Sequence, residues 1–213
     1  MTRIDWLTFL SDFNDVSLAI SPLVRNKPPF ELGMNPLIRR HPNSALAELA
    51  ERVVSGQARW MGMPPATTHQ IRAAEVRLNV DLPASYRSFL EVSNGFLLPG
   101  CSISALLSVE LIRPFGEDHA GESAFWRDVQ NDDTGELALY VQSRLEGTIQ
   151  ISGPPNESPE FVLLDPCSVR PCSGPRFLQL MHEGPTDDVD FEEIMTNHLE
   201  AAKYLLKLLT GCE

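Results

Sequence analysis

Basic residues are scarce in this sequence: 17 lysines and arginines stand against 29 aspartates and glutamates, a net charge of −12. Direct binding of nucleic acid runs on a Lys and Arg surplus that displaces counterions from phosphates, so no nucleic-acid ligand is expected. A long apolar run is missing too. The least polar stretch, Val16 to Val24, is short and interrupted by Pro22, well below the roughly 20 residues a membrane helix needs. Arg3, Asp5 and Asp12 break up the first apolar residues, which does not fit a secretory signal. The four cysteines (101, 167, 172 and 212) include no Cys-x-x-Cys. Reduced thiols are then the default, and a cytoplasmic location with no membrane partner is expected.

Catalytic spacing is also lacking. The sequence has no glycine-rich phosphate loop, no Gly-x-Ser-x-Gly and no His-Glu-x-x-His. The five histidines (41, 69, 119, 182 and 198) share no short ligand spacing. Asp118-His119 reads as a surface pair, and Cys167 and Cys172 as two ordinary thiols rather than zinc ligands. No enzymatic activity, metal or cofactor is expected.

What the chain does have is a strongly punctuated stretch from Thr67 to Gly100. Thr67 and Gln70 have capping-box spacing, in which each side chain satisfies a backbone donor at the other's position. Ile71, Ala74 and Leu78 fall on one helical face, with Arg72 and Arg77 elsewhere. Asn79 follows, one of the few residues that tolerates a left-handed cap. Pro83 suits the first turn of a second helix, whose buried stripe is Tyr86, Phe89 and Leu90 and whose stop is Gly95. The spacing predicts a helical hairpin with its aromatics in the core.

Residues 1–41 differ in composition from the remainder. They hold five basic and four acidic residues, against twelve and twenty-five in residues 42–213. Ile4, Leu7, Phe9, Leu10 and Phe13 predict one amphipathic helix, and prolines at 22, 28, 29 and 36 break any regular structure after Ile20. The expected organisation is a helix and proline-rich arm over 1–41, dispensable for folding, and a main domain over 42–213. In that domain Asn43 or Ser44 caps a helix through Val54 that Gly56 closes. Leu106-Leu107 and Val109–Ile112 predict a strand and a turn; Leu137–Val141, Thr148–Ser152, Phe161–Leu164 and 176–182 predict further strands. A long helix from Phe191 closes the chain. Helices, then strands, then a helix is an α+β order.

Two acidic clusters stand out. Asp187, Asp188, Asp190, Glu192 and Glu193 crowd the start of the last helix, where carboxylates favour the helix dipole by ~0.3–1 kcal/mol each. Glu117, Asp118, Glu122, Asp128, Asp132, Asp133 and Glu136 are opposed only by Arg127, and no helix start explains them. Trp126 and Phe125 sit among these acids. Two readings fit: an aromatic anchor ringed by charge on a protein-binding surface, or a solvated loop whose Trp tucks into the core.

The run Pro65-Ala66-Thr67, Gln70-Ile71, Ala74-Glu75, Leu82-Pro83, Ser85-Tyr86, Phe89-Leu90 and Ser93-Asn94-Gly95 resembles the signature of the SUKH superfamily. Its structural signature falls here on Thr67, Leu82, Pro83, Tyr86, Phe89, Leu90, Asn94 and Gly95. Asn79 stands where the family often has Gly, and Phe177-Leu178-Gln179-Leu180 where it often has an aromatic-rich strand. The resemblance implies a mostly antiparallel sheet packed against N-terminal helices and a long C-terminal helix. It also implies a non-catalytic immunity protein, read as a monomer, that neutralises a cognate polymorphic toxin, with a basic nuclease-type toxin as the partner. The alternative it implies is a regulatory scaffold like the superfamily's fungal cell-wall regulators. On the immunity reading, the partner-binding residues are Glu117, Asp118, Glu122, Trp126, Asp128, Asp132, Asp133, Asp187, Asp188 and Asp190.

Overall fold

Helix α1 (Trp6–Val24) opens the chain and sets the first departure from expectation. The structure, a computed structural model, describes residues 4–24, 37–118, 145, 147–153, 160–166, 176–181, 184–185 and 190–211. α1 runs through Pro22 to Val24 instead of breaking after Ile20. Proline removes one donor and crowds the preceding turn, but Pro22 is exposed and the helix ends two residues later. Only the last turn is affected. Nor does α1 lie on the surface of a finished domain, because Trp6, Leu10, Phe13 and Ile20 are at most 3% exposed. The Trp6 ring lies 5.6 Å from Phe89 and 5.3 Å from Phe191. The core therefore runs across the compositional boundary at residue 41.

Of the two cap candidates for α2 (Ala45–Val54), Ser44 is the one used, its Oγ accepting from the Ala47 N–H at 3.1 Å. The predicted hairpin is present. α3 (Thr68–Leu78) begins with the capping box: Gln70 N–H donates to Thr67 Oγ1, and Thr67 N–H donates to Gln70 Oε1. It ends at Asn79, in the left-handed region at φ 53°. Pro83 sits one position earlier than expected, as the extended cap of α4 (Ala84–Leu90). Gly95 does not stop α4, which has ended at Leu90. It turns the chain at φ +105° into β1 (Phe96–Leu97), where an added Cβ would lie 3.1 Å from the Leu106 carbonyl.

β1 pairs antiparallel with β2 (Ala105–Leu106). The larger sheet holds β3 (Arg113–Pro114), β4 (Ile149–Gln150), β5 (Phe161–Asp165), β6 (Arg176–Met181) and β7 (Gly184–Pro185), in that order and antiparallel throughout. A short helix, α5 (Phe115–Asp118), follows β3. α6 (Phe191–Thr210) closes the chain between an Asp190 cap and Gly211 in the left-handed region. The fold is α+β, with helices ahead of an antiparallel sheet and a long helix after it. The expected strand over Leu137–Val141 lies outside the described residues.

Alternation along the strands splits the interior in two. Val162, Leu164 and Phe177 join the large core shared with α1, the hairpin and α6. Phe161, Leu163, Leu178 and Leu180 face the other way, onto Phe115 and Leu145. Lys203 on α6 meets Asp12 on α1 at 3.0 Å, an ion pair at the protein surface that links the two helices. No described helix is long and apolar enough to cross a membrane.

Candidate functional site

The hairpin has two sides. On the inner side, Tyr86 stacks on Phe89 and meets Phe191 edge-on at 5.0 Å, and both α4 rings are fully buried. Burial raises the Tyr86 hydroxyl well above its ordinary range, so it stays protonated. These rings build the core, as their spacing predicts. Glu75 locks the helices together: its carboxylate, almost fully buried, pairs with the Arg87 guanidinium and accepts from the Leu82 N–H at 3.0 Å. One acid on α3 thus holds both the entry and the body of α4.

The outer side is concave, with a few polar groups set among apolar walls. A cleft of about 750 Å³ opens where the start of α2, the Met63–Pro65 segment and the 108–111 turn converge on the first turn of α3. Glu110 lines it and is exposed. Gln70 Nε2 donates to Glu110 Oε1 at 2.9 Å, and Asn94 Nδ2 donates to Oε2 at 3.1 Å. Each amide is itself fixed from behind. Gln70 Oε1 accepts from Thr67 N–H at 2.9 Å as part of the capping box. Asn94 Oδ1 accepts from Val109 N–H at 2.9 Å. Burial raises the Glu110 carboxyl, but its own backbone N–H and the Ser108, Asn94 and Gln70 side chains outweigh that and hold it below the usual carboxylate range.

His41 also lines the cleft, and its Nε2 lies 3.2 Å from Arg113 Nη2. A guanidinium only donates, so His41 Nε2 is the acceptor in that contact. Arg77 braces the turn from below, donating to the Ile112 and Val109 carbonyls at 2.9 and 2.6 Å. The arrangement offers a fixed, ionised carboxylate at the edge of a proline-lined groove.

Of the residues expected to bind a partner, Glu117 is exposed on α5 and Asp118 ends that helix. Asp190 is the α6 cap, with Oδ1 accepting from Glu192 N–H at 3.1 Å. Glu122, Trp126, Asp128, Asp132, Asp133, Asp187 and Asp188 lie outside the described residues, as do His119, Cys167 and Cys172. In the structural signature, Leu82, Tyr86, Phe89 and Leu90 are core, whereas Thr67 and Asn94 belong to the cleft frame. Glu110 was missed by sequence reasoning, although an acid inside the apolar run Leu106–Ile112 was a usable signal. Two further titratable groups are buried away from the cleft lining. Cys101 is pushed up to about 12 by burial, and His198 is pushed down to about 4 by burial. Among the described residues no group of three or more His, Cys, Asp or Glu could hold a metal ion.

No curated protein matches the chain. Residues 65–153 match the model of the SMI1 / KNR4 family (SUKH-1). The matched span starts at the cleft wall, takes in the whole hairpin with Gln70, Asn94 and Glu110, and runs through β4. Through that segment, about two fifths of its length, the chain is similar to the SUKH superfamily.

Proposed function

We propose that this chain is a non-catalytic immunity protein that binds a cognate toxin domain in the cytoplasm, as a monomer, and blocks it. The observation that carries this reading is the SUKH match across the hairpin, in a family that includes toxin-immunity proteins. The charge distribution supports it: residues 42–213 hold twelve basic and twenty-five acidic residues. A nuclease-type toxin must present a basic cleft to its phosphate substrate. An acidic cover competes for that cleft directly and is drawn to it over about a Debye length.

The acids of 117–136 are the proposed steering surface, with Trp126 as its anchor and Asp187 and Asp188 as a second patch. Asp190 serves mainly its own helix, since its carboxylate is engaged at the α6 N-terminus. The test is co-purification with the toxin encoded beside this chain's gene, followed by association kinetics at two salt concentrations. Reversing Asp118, Asp132 and Asp133 to Lys is expected to slow association and flatten its salt dependence, because rim charges act on encounter rates. Trp126→Ala is expected to speed dissociation instead. A chain that captures several unrelated proteins and no toxin would support the regulatory-scaffold reading.

A further inference from the structure

We propose that the Glu110 cleft is a receptor for one basic side chain, a lysine or arginine on an exposed segment of the partner protein. The inference rests on the binding reading above and deepens it by assigning a surface and the chemistry that it recognises. Glu110 is the only acid among the described residues lining the cleft, and no lysine or arginine lines it. No cation among the described residues pairs with Glu110, whose hydrogen-bond partners are all neutral donors. Among the described residues the cleft lining therefore holds one acid and no lysine or arginine, with that carboxyl held below the usual range.

That charge is also preorganised. Gln70 and Asn94 each give one N–H to a different carboxylate oxygen, and each is tied to the backbone through its own carbonyl. The carboxylate is held in place by neutral donors only, its own backbone N–H and the Ser108, Asn94 and Gln70 side chains, and an incoming ammonium or guanidinium would make a stronger, charge-assisted contact to it. The walls fit the rest of such a side chain. Pro42, Pro64, Pro65, Met63 and Leu111 line the groove and offer apolar surface to an aliphatic stem. A volume of about 750 Å³ is in the range of sites that enclose a small ligand, ~300–1,000 Å³, and holds one long side chain with its flanking backbone.

The probe is the tripeptide acetyl-Gly-Arg-Gly-amide, titrated into the full chain and followed by backbone amide NMR, with the neutral citrulline tripeptide as control. Saturable shifts at Ser44, Asn94 and Leu111, with citrulline binding at least about tenfold more weakly, are the expected result, as a charged hydrogen bond lost from a defined site predicts. Glu110→Gln is expected to lose the preference for arginine. Ala45→Trp fills the cleft while leaving Glu110 and its donors in place, and is expected to abolish the shifts, which keeps the test valid if Glu110→Gln misfolds. Equal binding of citrulline, non-saturating shifts spread over the acidic surface, or cleft shifts caused by a second copy without peptide would each overturn the proposal. Toxin capture separates it from the functional reading. Capture by the parent and equally by both variants leaves that reading standing and overturns the cleft. A chain that seats the peptide at the cleft yet captures no toxin overturns the functional reading and supports the cleft.

Discussion

The inner and outer sides of the α3–α4 hairpin are made from the same short stretch of chain and do opposite things. The inner side places Tyr86 and Phe89, both fully buried, against Trp6, Phe177 and Phe191. The outer side places Gln70 and Asn94 on a solvent-facing carboxylate. Apolar burial is non-directional and sums over area, so the inner side determines stability. Oriented donors and one fixed charge contribute little to folding but much to selectivity, so the outer side is suited to recognition. If this division holds, variants on the two sides separate cleanly: inner ones lose the fold, outer ones lose binding with the fold intact.

The largest expected effect comes from removing residues 1–41. α1 supplies Trp6, Leu10, Phe13 and Ile20 to the core, so the truncated chain is expected to lose cooperative unfolding and its near-UV circular dichroism. That reverses the expectation from composition, which treated those residues as dispensable. A truncated chain with a sharp thermal transition would show that the hairpin's inner side is complete without α1. Next is Phe89→Ala, expected to cost about 3–5 kcal/mol because the ring is fully buried among other rings; urea unfolding measures it.

The third effect depends on pH. His198 is 6% exposed, and burial lowers it from 6.5 to about 4. The folded state resists the proton that the unfolded chain accepts near pH 6.5. Its contribution is therefore full above about 6.5, is lost as the pH falls, and levels off near 4. That gap corresponds to ~3 kcal/mol. His198→Leu is expected to flatten this window in unfolding experiments from pH 7 to 4; an unchanged slope would place the pH dependence on carboxylates instead.

What the sequence made legible follows the same division. The capping box, the left-handed Asn79 and the buried Tyr86 and Phe89 all depend on residues within one or two helical turns. Their signals are local, so spacing alone finds them. The role of α1 was not legible, because an amphipathic stripe shows only that a face is buried. Its partners, Phe89, Phe96 and Phe191, are far along the chain. The cleft was hidden for a related reason: Glu110 meets residues 40 and 16 positions away. Gln70 already had a sufficient role in the capping box, and nothing nearby in sequence announced its second one.

The smallest expected effect on stability belongs to Glu110→Gln, within about 0.5 kcal/mol as for an exposed polar substitution, and it gives the most direct test. Cells producing the neighbouring toxin would be scored for survival with the parent chain or with this variant, at matched levels of folded protein. The account predicts that the parent protects and that Glu110→Gln protects markedly less, with its unfolding midpoint unchanged. Full protection by the variant would contradict the division between the two sides of the hairpin and return the partner surface to the acids of 117–136.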